Sequence, residues 1–280
     1  MSSARLETYS RNELTFDVTD EGPIGGPVAV LLHGFPAHRG AWRLVTPLLS
    51  AAGIRTLAPN QRGYSPGAAP LERSRYRGNA LALDALALID AAGVRRAHVV
   101  GHDWGGVVAW RLAANAPKRL AGVTVLSTPH PSALARAAIT SDQALRSSYI
   151  GGFQLPWLPE ALLRPGLESL LMRSGLPHAF AADYAEFMRS GDTLRCALNW
   201  YRGTWLPSAR TRPVGTSRVP TTYVWGSRDL ALGRRAAQLT AGHVGAPYRF
   251  VELDENHWLP ERAPERVASE IIAGVVRANR

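Results

Sequence analysis

The chain reads as an α/β protein: a mostly parallel sheet flanked by helices and interrupted by an inserted helical lid. Three observations carry this. Short apolar runs alternate with helical stretches over residues 27–126. Strand-type runs return at 221–225 and 248–253. The stretch between, 131–212, contains no clear strand. Strands alternating with helices imply βαβ units, and continuous apolar runs mark strands buried on both faces.

In chain order, strand-like stretches at 8–9 and 14–18 come first. Residues 27–32 (PVAVLL) are too short and too β-branched for a helix. A helix is predicted over 41–52, a strand at 54–58 and a strong helix at 80–92 (ALALDALALIDAA). Next come a strand at 97–100, a helix at 107–115 and a strand at 123–126. The rhythm breaks after Thr128, Pro129, His130 and Pro131, and the insertion beyond them is helical, aromatic and punctuated by Pro156, Pro159, Pro165 and Pro177. A terminal helix spans 264–277. The expected division is a core domain of residues 1–130 and 213–280 carrying a helical cap at 131–212.

A chain of 280 residues suffices for one large core with a subdomain inserted. No apolar run approaches a membrane span, and the first residues lack an apolar signal region. The expectation is no membrane partner. Cys196 is the only cysteine, which excludes an internal disulfide and fits a reducing, cytoplasmic setting. The net charge of +10 invites a nucleic-acid reading. However, the arginines are scattered in ones and twos, and no recognition motif accompanies them. Lys118 is the only lysine, so composition accounts for the charge, and no nucleic-acid partner is expected.

The strand at 97–100 runs into Gly101-His102-Asp103-Trp104-Gly105-Gly106, and a helix comes after it. This is a nucleophile elbow with aspartate in the serine position. The central residue of such a turn is strained, so the residues two away must lack side chains. The turn lifts the carboxylate to a helix N-terminus, where the dipole favours the ionised form a nucleophile needs. Alone, the pattern also fits an N-cap aspartate beside packing glycines. Its neighbours favour chemistry. His33-Gly34-Phe35-Pro36 ends the strand at 27–32, so the N–H groups of Phe35 and Trp104 are the candidate oxyanion hole.

An acid and then a histidine should come later in the chain. Asp229 lies just past the strand at 221–225, and His257 is the only histidine after the last strand. Asp254 shares the loop of His257, and the end of the 123–126 strand carries no carboxylate, which leaves Asp229. His102 is expected to line the site, and Arg111 to be structural.

Together these residues resemble the epoxide hydrolases of the α/β-hydrolase superfamily over nearly the whole chain. The HGFP and GHDWGG stretches are similar to that family's, as is Gln61-Arg62-Gly63-Tyr64-Ser65. Haloalkane dehalogenases share the aspartate elbow, and the insertion discriminates. Residues 149–156 (YIGGFQLP) and 199–202 (NWYR) are similar to the segments that bear two lid tyrosines in epoxide hydrolases. The resemblance therefore implies that Tyr149 and Tyr201 hold and protonate an epoxide oxygen. Ring opening needs such donors, because the developing alkoxide is a poor leaving group. Tyr184 and Tyr76 read instead as amphipathic core residues with hydroxyls at the surface.

The implied reaction is attack by Asp103 on an epoxide carbon, giving an ester. His257, oriented by Asp229, then activates the water that hydrolyses it to a vicinal diol. The implied partners are a hydrophobic epoxide and water, with no metal or cofactor, and a homodimer is compatible with the sequence. Substrate contacts are assigned to Phe35, Trp104, Phe153, Trp157 and Trp258. The alternatives are a haloalkane dehalogenase using the same triad or a non-catalytic ligand-binding protein of this fold. Against the first, Phe35 stands where many dehalogenases have asparagine.

Overall fold

The computed structural model describes residues 4–204 and 213–278. Its strands are β1 (Thr8–Arg11), β2 (Leu14–Glu21), β3 (Val28–Leu32), β4 (Arg55–Pro59), β5 (Ala97–His102), β6 (Leu120–Leu126), β7 (Thr221–Gly226) and β8 (Tyr248–Leu253). They form one sheet in the order β1-β2-β4-β3-β5-β6-β7-β8. The β1–β2 hairpin and the β2–β4 pair are antiparallel, and the remaining pairs are parallel. Every residue of β3, β4, β5 and β7 is buried, as continuous apolar runs require of central strands. Val30, Val99, Val123 and Thr221 sit side by side across the sheet. This register brings the carboxyl ends of β3, β5, β6 and β7 to one edge, where open α/β sheets bind ligands.

The helices around the sheet are α1 (Thr46–Ala51), α2 (Gly78–Ala91) and α3 (Trp104–Asn115). Six more lie between β6 and β7: α4 (Pro131–Thr140), α5 (Gln143–Arg146), α6 (Tyr149–Gly152), α7 (Leu158–Arg173), α8 (His178–Arg189) and α9 (Thr193–Thr204). The last are α10 (Arg234–Leu239), α11 (Leu259–Arg262) and α12 (Pro264–Ala278). The paired helices α2 and α3 pack on the sheet, α3 against β5 and β6 and α2 against β1, and so do α1 and α12, α12 against β6 and β7 and α1 against β4. The expected cap ends at residue 212, outside the described residues. Among those described, no helix is long and apolar enough to cross a membrane.

Two elements and two side chains depart from the sequence reading. The helix expected over 41–52 is a 3-10 turn (Arg39–Trp42) and then the short α1. Pro47 explains the break: it has no N–H to continue a helix from the preceding turn. The helix expected from 107 begins at Trp104, directly after the elbow. Tyr76 and Tyr184 do not reach the surface. Both rings are buried, and their hydroxyls donate to the Pro70 carbonyl and to Glu261, each at 2.7 Å. A buried phenol keeps an internal partner.

Candidate active site

Asp103 is the one residue between β5 and α3, at φ 51° and ψ −118°. A positive φ outside glycine costs about 1–3 kcal/mol and persists only when the surroundings over-determine it. Here a Cβ on Gly101 would overlap the Gly105 carbonyl, and one on Gly105 would overlap that of Leu32. The Asp103 carbonyl accepts from Gly106 N–H at 2.9 Å and from the Thr128 hydroxyl at 2.8 Å. The carboxylate is held in turn. Phe35 N–H donates to Oδ1 at 2.8 Å, and the Trp104 N–H adds its favourable pull on the carboxylate charge. The Phe35 amide expected in an oxyanion hole therefore meets the Asp103 carboxyl directly, and the Trp104 amide acts on its charge. Burial pushes Asp103 above its ordinary range, while His257 and these two amides pull it back.

Asp229 and His257 come to the same edge from β7 and β8. His257 Nδ1 lies 2.7 Å from Asp229 Oδ2, and its Nε2 lies 3.7 Å from Asp103 Oδ2. Asp229 is buried, and its other oxygen accepts from Ala231 N–H at 2.8 Å and Leu232 N–H at 2.9 Å, so its carboxylate cannot swing away. The rival acid, Asp254, has an 84% exposed side chain and pairs with Arg228. Burial alone would push His257 down, but Asp229, Asp103 and Glu261 together raise it to about 9.

The backbone of His257 is pinned as well. Its carbonyl accepts from the Ser127 hydroxyl at 2.8 Å and lies 2.9 Å from His102 Nε2. Burial lowers His102 to about 3, so its ring is neutral. His102 itself is buried, and it braces the histidine loop rather than lining the site. Ser127, at φ 66°, went unnoticed in the sequence because a serine past a strand carries no signal of its own.

The two tyrosines of the inserted helices face this arrangement. Their ring centroids are 6.2 Å apart. Tyr201 packs edge-on against Trp104 at 4.9 Å, Phe153 at 5.0 Å and Phe35 at 5.5 Å. Burial raises both phenols above their ordinary value, and the Asp103 charge raises each further. Tyr149 differs in being a partly exposed residue.

The helix carrying Tyr201 is fastened to the core. Trp200 Nε1–H donates to the Arg62 carbonyl at 2.8 Å, and Arg62 forks onto Asp84 with two bonds of 2.8 Å. Gln61 donates to the His33 carbonyl at 2.6 Å. The segment Gln61–Ser65 thus links the oxyanion loop to α9, which gives its sequence resemblance a physical content.

Two assigned contacts fall elsewhere. Trp157 is 72% exposed and lines a separate cleft of about 600 Å³ with Arg73 and Arg195. It directly precedes α7, at φ 53°. Trp258 stands edge-on to His257 at 5.3 Å and donates to the Ser174 hydroxyl at 2.8 Å. It backs the histidine. Phe35, Trp104 and Phe153 do gather around Tyr201.

A family profile for the alpha/beta hydrolase fold matches residues 27–264. The chain is 34% identical to AB hydrolase superfamily protein YfhM of Bacillus subtilis, covering 97% of this chain and 98% of that one. It is 32% identical to Epoxide hydrolase A of Mycobacterium tuberculosis, with 93% and 94% covered. Its fold matches the crystal structure of Epoxide Hydrolase A from Mycobacterium thermoresistibile with a TM-score of 0.81 at 26% identity, covering 95% and 96%. The sheet order, the aspartate elbow and these likenesses agree, and the chain belongs to the epoxide hydrolases of the α/β-hydrolase fold superfamily.

Proposed function

We propose that this protein converts an epoxide to a vicinal diol through a covalent ester on Asp103. One observation carries the reading: a carboxylate backed by a His–Asp pair faces two phenols that both feel its charge. In the first step an Asp103 oxygen bonds to an epoxide carbon while the ring C–O bond breaks. The electron pair goes to the oxygen, which takes a proton from Tyr149 or Tyr201. Both phenols are raised by burial, so they are protonated donors at neutral pH. The inserted helices over residues 131–204, the described part of the proposed cap, would close the site over the sheet edge, with Phe35, Trp104 and Phe153 against the substrate.

The second step needs neutral His257. In the resting enzyme Asp103 helps hold its proton, and esterification removes that charge. The shed proton replaces, through solvent, the one given by the phenols. Neutral His257 then takes a proton from water, which attacks the ester carbonyl. The tetrahedral oxyanion rests on the Phe35 and Trp104 amides; on its collapse the bond to the substrate oxygen breaks, that oxygen takes the proton from His257 as the diol leaves, and the regenerated Asp103 carboxyl returns a proton to His257. The dehalogenase alternative has no use for two neighbouring phenols beside the carboxylate.

One turnover in heavy-oxygen water tests the scheme. Label is expected in the Asp103 carboxylate, because water attacks the enzyme's carbonyl. Label confined to the diol after a single turnover means direct attack by water and removes the ester.

Gly34 supplies a second test. A Cβ there would overlap the Asp103 side chain. Gly34→Ala is expected to push the carboxylate off its two amides and to lower kcat about a hundredfold, the scale of losing one such donor. Turnover at the wild-type rate would mean that this alignment is not needed.

A further inference from the structure

The reaction leaves one buried acid beside the site unused. Glu261 lies on α11, four residues beyond His257, and is 4% exposed. Its Oε1 accepts from the Tyr184 hydroxyl at 2.7 Å, a residue of α8 among the inserted helices. Its Oε2 is buried and has no hydrogen-bond partner among the described residues. Such an oxygen is costly to bury as an anion. Burial accordingly raises Glu261 to about 7, opposed by Tyr184, its own backbone N–H, His257 and Arg43. Arg43 pairs with Asp183 at 2.6 Å, and His38 packs edge-on against the Tyr184 ring. His257 pairs with Asp229 from β7 and lies 3.7 Å from Asp103 of the elbow, it feels the charge of Glu261 four residues on, and the neutral ring of His102 lies 4.9 Å away.

We propose that Glu261, gripped by Tyr184, is a positioning residue that governs how readily His257 gives up its proton, and so sets the pH range of ester hydrolysis. The inference rests on His257 being the base. An anionic Glu261 holds the proton on His257, and a neutral one releases it. As pH falls through neutrality Glu261 takes up a proton, and His257 then yields its own more easily. The pair thereby extends hydrolysis toward acid. Because Tyr184 belongs to the inserted helices, their seating on the core enters the same balance.

The test is the pH dependence of ester decay after a single turnover, tracked by protein mass, beside an NMR titration of the His257 imidazole in resting enzyme. Glu261→Gln keeps the size and can still accept from Tyr184. Both midpoints are expected to move to lower pH by about half a unit to one unit, at the low end of what a nearby charge does. Glu261→Asp retains the charge and should stay with the wild type. Tyr184→Phe should shift the midpoints less, in the same direction. Unmoved midpoints in Glu261→Gln overturn the proposal, as does an equal shift in Glu261→Asp, which would mean packing and not charge. If the wild type forms no ester, the covalent reading fails instead, and the NMR titration still decides the coupling.

Discussion

His257→Gln is expected to abolish turnover while still opening the epoxide ring, so that the protein accumulates one substrate mass. Asp103 keeps its two amide donors in this variant, and the phenols are untouched, so the first step has what it needs. Water then lacks a base. Loss of a general base typically costs 10²–10⁴-fold, and a fall in kcat of about a thousandfold is expected. Asp229→Asn should trap the ester less completely. His257 would lose its strongest charged partner, but its backbone would stay pinned by Ser127 and His102. Intact-protein mass spectrometry reads both. Near-normal turnover by His257→Gln would mean that another group acts as base.

Removing both phenol hydroxyls should produce a comparable loss at the other step. Tyr149→Phe and Tyr201→Phe are each expected to slow ring opening about tenfold, because one donor remains. The double variant should lose about a thousandfold, since the alkoxide would then form in a desolvated site without a donor. Pre-steady-state formation of the ester measures the first step separately from its decay. Decay should survive in all three variants, as the phenols serve only the first step. Wild-type epoxide turnover by the double variant would remove the tyrosines from the mechanism. Halide release exceeding diol formation across a panel of haloalkanes and epoxides would favour a dehalogenase.

Much of this was readable because parallel strands and elbows leave one-dimensional traces. The runs at 27–32 and 97–100 are continuous because the sheet covers both faces of β3 and β5. Gly101 and Gly105 flank Asp103 because a Cβ has no room at either position. Asp229 and His257 were recoverable from their order past two strand ends. The side-chain directions in the insertion were not. Trp157 is an aromatic in an apolar stretch, yet it stands exposed, and nothing in its neighbours along the chain says so. Tyr184 and Glu261 are separated by 77 positions, so neither announces the other. In sequence, a buried glutamate is indistinguishable from a solvated one.

The two phenols are mounted very differently, and this bears on how the enzyme can change. Tyr201 rides on α9, which is tied down through Trp200 to Arg62, Asn199 to the Leu71 carbonyl, and Arg202 to Glu160 and the Phe153 carbonyl. Substitutions near it must satisfy many partners at once. Tyr149 rides on the four-residue α6, whose Gly151 and Gly152 have nothing within 4 Å of where a Cβ would stand. Selection for a new epoxide shape, in nature or in the laboratory, therefore has one wall it can rewrite cheaply and another it must inherit. Diversity among descendants of this chain should accumulate beside Tyr149, while the α9 side holds the ancestral geometry.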